Sequence, residues 1–240
     1  MTPKLNPLEA AQRFISTHFP RCQAALLAGS VVRGEATETS DLDIIVFDDT
    51  LVSSYRESFI EDGWHIELFA HNLMSYHAFF EQDCRRAIPS LPRMVTEGIV
   101  LKDTEIVEEI KQEARALLDS GPEPWSDETI ELKRYFLTDA LEDLIGCNTR
   151  AEGLFIASTL ATLVCEFILR TNRQWTGSSK WTYRALDRYD AQAARELVTA
   201  LEAYYQTNEP DALIRYVDET LFPFGGRVFA GYSRGKSNET

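Results

Sequence analysis

An α/β domain over residues 1–120 followed by an all-α domain over residues 121–240 is the fold class the sequence predicts, and three observations carry that reading. Short apolar runs bounded by turn residues recur at Cys22–Ala28, Ile44–Phe47, Trp64–Phe69 and Gly98–Leu101, the pattern of strands. The run Gly121-Pro122-Glu123-Pro124 then interrupts the chain, because two prolines and a glycine cannot continue a helix. Beyond it the apolar residues keep helical spacing, with no strand-like alternation.

Each element has its own warrant. Asn6 is placed to cap a first helix, with Pro7 at its first position and Glu9 reaching back to the cap. Leu8, Ala11, Phe14 and Ile15 form its apolar stripe, and Pro20 stops it. Cys22–Ala28 reads as a central strand ending at Gly29, and residues 31–37 as the start of a helix behind a Gly-Ser turn. A strand runs through Phe47, and Asp48-Asp49-Thr50 reads as a turn with solvated carboxylates. Trp64–Phe69 alternates, so Trp64, Ile66 and Leu68 face one way and His65, Glu67 and Phe69 the other. Helices interrupted by Pro89 and Pro92 are expected over Leu73–Gln82 and Cys84–Val95, then a strand at Gly98–Leu101 and a helix capped by Thr104 that runs to Leu118. In the second half, Ser126 caps a helix that reaches Gly146; helices at Leu154–Arg170, Ala191–Gln206 and Asp211–Leu221 follow, and Gly231–Thr240 reads as a frayed tail.

Composition narrows the function classes. The apolar share of 44% and charged share of 26% are those of a folded globular protein and exclude a disordered class. The apolar stretch Leu154–Leu169 is interrupted by Ser158, Thr159, Thr162 and Glu166, and the N-terminus has no signal-like apolar segment, so a cytoplasmic protein with no membrane partner is expected. A net charge of −14 disfavours an extended nucleic-acid surface, which needs clustered Lys and Arg to release counterions. The same field favours a polycationic small molecule, unless it serves solubility alone. Cys22, Cys84, Cys147 and Cys165 have neither paired spacing nor a nearby His, which reads as four reduced thiols rather than a zinc set.

The chemistry concentrates between Gly29 and Phe47. Asp41 and Asp43 stand one residue apart at the head of the run Ile44-Ile45-Val46-Phe47, and the period of 2 puts both carboxylates on one strand face. Oxygen ligands so spaced suit Mg2+, which is usually completed by waters and substrate phosphates. Gly29 permits a positive φ and a close backbone approach, and Ser30 adds a hydroxyl, so the turn before them can hold a phosphate. Arg33 either approaches those phosphates or forms a structural ion pair with Glu35, Glu38 or another acid. Glu67, flanked by Ile66 and Leu68, is costly to desolvate unless paired or bound to a cation, so it is a third metal carboxylate or else an exposed edge residue. His65 and His71 are weaker candidates, since a lone strand histidine usually packs.

The helical half offers two more features. Asp139 and Asp143 lie at i and i+4 with Glu142 alongside, a crowding that suits a general base acting on a hydroxyl. The alternative is an acidic face paired with Lys133, Arg134 or Arg150. The segment Trp175–Arg184 mixes aromatics, hydroxyls and cations, with Lys180 and Arg184 four residues apart; it meets a base or phosphate, or locks helices together.

The order strand, Gly29-Ser30, Arg33-Gly34, Ser40-Asp41-x-Asp43, strand resembles the polymerase-β-type nucleotidyltransferase superfamily, in which a third acid follows on a neighbouring strand, where Glu67 stands. The Lys180-Trp181 pair before a helix more loosely resembles the nucleotide-facing segment of kanamycin- and lincosamide-type members. The resemblance implies a minimal nucleotidyltransferase domain with a mixed sheet and a helical-bundle domain after it. It implies two Mg2+ ions on Asp41, Asp43 and Glu67, and ATP or another nucleoside triphosphate contacted by Gly29, Ser30, Arg33, Ser40 and Lys180. A nucleoside monophosphate, AMP for ATP, would pass to a hydroxyl of a small acceptor such as an aminoglycoside or lincosamide, an antibiotic-resistance activity, with Asp139 near the acceptor as base. A homodimer is compatible with it, since related enzymes build their site across two subunits. Two other readings stand beside this one. Adenylylation of a protein, as in antitoxin-like members, sits less well with a long helical half, and a silent nucleotide-binding module would be expected to have lost metal carboxylates that are present here.

Overall fold

The structure, a computed structural model, describes residues 4–233, so most of the expected C-terminal tail lies outside the described residues. The chain divides into two compact units, residues 1–121 and 122–240.

The first unit is built on a mixed sheet of β1 (Ala24–Ala28), β2 (Leu42–Phe47), β3 (Tyr55–Glu61), β4 (Trp64–His71) and β5 (Ile99–Asp103). Their order across the sheet is β3-β4-β2-β1-β5. Only the β2–β4 pairing is parallel. One face packs on α1 (Pro7–His18), where Phe14 and Ile15 meet Leu27, Ile44, Val46 and Leu68. Asn6 caps this helix, its side chain accepting from the Leu8 N–H at 3.0 Å. The other face is covered by α2 (Ser75–Arg85), α3 (Ser90–Glu97) and α4 (Val107–Ser120), with Phe80, Val95 and Ile110 against Leu26, Ile45 and Phe47.

Three local expectations are corrected, and one strand, β3, is not among those expected. Residues 31–37 form no helix: one tight turn ends at Gly34, whose φ of +71° leaves the helical region. β3 answers to no apolar run, because its side chains are mostly exposed on the sheet edge. Asp103, not Thr104, holds the start of α4, its Oδ1 accepting from the N–H groups of Ile106 and Val107 at 2.9 and 3.1 Å. Asp48 is buried rather than solvated, its Oδ1 accepting from the Thr50 hydroxyl at 2.7 Å and the Thr50 N–H at 2.9 Å.

The second unit contains α5 (Asp127–Gly146), α6 (Arg150–Thr171), α7 (Lys180–Tyr189), α8 (Ala191–Thr207) and α9 (Asp211–Leu221). Ser126 caps α5, accepting from the Thr129 N–H at 3.2 Å. Leu137 and Leu141 of α5, Leu160 and Val164 of α6, Leu186 of α7 and Val217 of α9 share one core. By length and composition α6 would suffice to cross a membrane, its scattered hydroxyls notwithstanding. Here one side of it forms the middle of this core. Glu166 within it is paired with Lys133 at 2.7 Å. The four cysteines are free thiols.

Candidate active site

Strand pairing sets the site. Ala28 is opposite Asp43, Asp43 opposite Glu67, and Glu67 opposite Ser58, so one row crosses β1, β2, β4 and β3. Cross-strand partners share a face, and on β2 that is the face of Ile45 and Phe47, which α2 to α4 cover further along. The apolar half of this face is core, and the carboxylates occupy the other end.

Asp41, Asp43 and Glu67 each offer an oxygen, and these three atoms lie within 4.8 Å of one another. All three residues are partly buried. Burial, with Asp41 and then Glu67 beside it, pushes the Asp43 carboxyl up from 3.8 to about 6, against the opposing pull of Arg33 and Arg56. Asp43 thus sits where burial and negative neighbours outweigh the nearby cations, and an all-oxygen donor set is what Mg2+ takes.

The turn after β1 lies against this cluster. Gly29 has a φ of +81°, and a Cβ there would fall 1.9 Å from Asp43 Oδ2, so only glycine lets the backbone come this close. The Ser30 hydroxyl donates to Ser40 Oγ at 3.1 Å, and Ser40 Oγ accepts from the Thr37 N–H at 2.8 Å. Ser40 thus ties the loop's return to the turn. The Arg33 guanidinium meets Glu35 at 3.3 Å and also pairs with Glu97 of α3, the ion-pair alternative of the sequence reading.

Two neighbours escaped the sequence reading. Arg56 of β3 donates to Glu67 Oε2 at 2.5 Å and lies over the Phe69 ring, 4.8 Å from its centre. Ser58 faces Glu67 across the strand pair. Both sit on the strand that no apolar pattern announced. His71 is a packing residue: its Nδ1 is 3.0 Å from Ser54 Oγ, and burial lowers its pKa to about 4. His65 is exposed on the face of Glu67.

The remaining candidates belong to the helical unit. Asp139 is exposed on α5 and makes no ion pair among the described residues. Its neighbour Glu142 pairs with Arg227 at 2.6 Å. The cations expected opposite these acids are engaged elsewhere: Lys133 with Glu166, Arg134 on the Gly226 carbonyl and Arg150 on the Tyr204 and Tyr205 carbonyls. Lys180 opens α7 and is exposed, while Arg184 lies over the Trp181 ring at 4.8 Å, so part of this segment packs on itself.

A glycine turn against three clustered carboxylates is an arrangement that can hold a divalent cation beside a phosphate, as enzymes of metal-assisted phosphoryl chemistry do. Residues 9–81, from α1 into α2, match the model of the nucleotidyltransferase domain. The first unit accordingly carries a nucleotidyltransferase domain of the polymerase-β-like superfamily, which supports nucleotidyltransferase activity. No curated protein matches it. Among solved structures it is distantly similar to a nucleotidyltransferase-like protein from Exiguobacterium sibiricum, with 11% identity, a TM-score of 0.47, and coverage of 91% of this chain and 75% of that one.

Proposed function

We propose that the protein is a Mg2+-dependent nucleotidyltransferase that moves a nucleoside monophosphate, AMP when ATP is the donor, to a hydroxyl of a small molecule. The observation that carries the reading is the carboxylate trio, oxygens within 4.8 Å, lying directly against a glycine turn.

Asp41, Asp43 and Glu67 would hold two Mg2+ ions, which when bound supply Lewis-acid polarisation of the α-phosphorus and lower the pKa of the attacking hydroxyl. The N–H groups and hydroxyl of the Gly29-Ser30 turn hold the triphosphate, and Ser40 orients the Ser30 hydroxyl. Arg33, already neutralised by two glutamates, shapes the loop and adds little charge to the phosphates. In the transfer, the acceptor oxygen bonds to the α-phosphorus as the bond to pyrophosphate breaks, and the hydroxyl proton leaves to a base. Asp139 is the helical unit's candidate for that base, because it is exposed and unclaimed by an ion pair among the described residues. Lys180 is that unit's candidate for a phosphate contact. The net charge of −14 favours a hydroxylated amine of the aminoglycoside or lincosamide kind, modified in the cytoplasm, as acceptor.

Pyrophosphate release from each of the four nucleoside triphosphates, with Mg2+ and a panel of aminoglycosides and lincosamides, tests this, with the double variant Asp41→Asn/Asp43→Asn as control. Release that depends on one acceptor and disappears in the control is the expected result. Absence of release with every acceptor, alongside normal Mg2+-nucleotide binding, would sink the small-molecule reading in favour of a protein acceptor or a sensor.

A further inference from the structure

We infer that the acceptor is held by the β3–β4 hairpin of the first unit, with Ser58 and His65 touching it, and that it is a neutral or cationic hydroxyl compound rather than an anion. The inference rests on the proposed nucleotide site, and it follows from the order of the strands. The row Ala28, Asp43, Glu67, Ser58 places the Gly29-Ser30 turn at one end, the carboxylates in the middle and β3 at the other. Neighbouring strands are about 4.8 Å apart, so the row spans roughly 14 Å, enough to separate a leaving group from an entering one. In an in-line displacement the entering oxygen stands opposite the leaving pyrophosphate. With the triphosphate on the β1 side, the hydroxyl must arrive over β4 and β3.

A cavity of about 370 Å3 lies there, bounded by Asp41, Glu67, Ser58, Ile60 and His65. Ser58 faces Glu67 and Ile60 faces His65 across the strand pair, so all four point to the carboxylate side of the sheet. The Ser58 hydroxyl and the His65 ring have no hydrogen-bond partner among the described residues, which leaves their donors and acceptors to a ligand. Ile60, 75% exposed, offers an apolar platform beside them. The lining includes two carboxylates and no Lys or Arg, and Arg56 on the same strand face offsets only one of them, so the site disfavours a phosphate or carboxylate group and attracts an ammonium.

Two experiments on the full chain test this. The first is a crystal structure with Mn2+ and α,β-methylene-ATP. The expected result is the analogue's outer phosphates at Gly29-Ser30 and nothing of it beside Ser58 and His65. An analogue whose base or phosphate tail fills the β3–β4 cavity overturns the inference and leaves nucleotidyl transfer standing; no analogue at the carboxylates overturns the reading beneath it as well. The second compares binding of kanamycin, a polycationic probe, with glucose 6-phosphate, an anionic one, to the Mn2+–analogue complex. Kanamycin is expected to bind the more tightly, and to lose at least tenfold in affinity in Ser58→Trp and several-fold in His65→Ala, while analogue affinity stays within twofold of wild type. Preference for the anion, binding of neither probe, or kanamycin binding indifferent to both substitutions overturns the inference.

Discussion

Removing the charge of Asp43 should stabilise the metal-free protein at neutral pH. Its carboxyl is raised from 3.8 to about 6 by burial and by Asp41 and Glu67. Below pH 3.8 the native and unfolded chains both carry the proton. Between 3.8 and about 6 the native state holds it while the unfolded chain has released it, so stability falls as pH rises through that window. Above it the whole penalty is present, and at about 1.4 kcal/mol per pH unit it amounts to about 3 kcal/mol. Asp43→Asn, neutral and of similar size, escapes that penalty. Urea denaturation followed by circular dichroism, without divalent ions, is expected to find the variant more stable than wild type at pH 7.5 by up to this amount. The gap should close as the pH is lowered to about 4, and saturating Mg2+ should narrow it at pH 7.5 by restoring the missing positive charge to the wild type alone. A variant no more stable than wild type at pH 7.5, or a gap that ignores pH, would refute the argument that the Asp43 carboxyl resists ionisation in this site.

Three further outcomes follow from the packing and pairing. Gly29→Ala sets a Cβ 1.9 Å from Asp43 Oδ2 on a backbone with φ of +81°. The strain of about 1–2 kcal/mol should be visible in thermal melts, and displacement of the carboxylate by about 1 Å should cost turnover on the order of 100-fold in steady-state assays. Arg56→Gln breaks the pair with Glu67, in which the arginine is 59% exposed; denaturation should register under about 1 kcal/mol, whereas Mn2+ titration by electron paramagnetic resonance should show tighter binding, because a competing cation has gone. Leu160→Ala, at a fully buried position of α6, should destabilise the helical unit by about 2–5 kcal/mol in chemical denaturation.

The floor of the site was legible because it is written in local spacing. Asp41 and Asp43 two residues apart, a glycine at the strand end and a glutamate between Ile66 and Leu68 are patterns within single strands, and the sheet pairing of β2 with β4 brings them together. What the sequence did not disclose depends on partners distant in the chain. Arg56 is one charged residue among exposed neighbours until β3 pairs with β4 and sets it beside Glu67. Arg227 stands 85 positions from Glu142, so nothing local announces their pair. The expected helix behind the Gly-Ser turn failed for a nearer reason: Gly34, read only as part of an Arg-Gly spacer, takes a positive φ and ends the turn.

The exposed edge strand has a consequence for how this protein can change. Within the sheet β3 pairs with β4 alone, and of its seven residues only Phe59 and Glu61, which also meet Phe14 and His18 of α1, are even partly buried. Most substitutions along it therefore cost little of the fold, whereas a change in β2 would reach the buried core. Chemistry and selectivity are thus written on strands of unequal freedom: the carboxylate floor is held rigidly by its neighbours, while the wall beside it is free to vary without the floor being rebuilt.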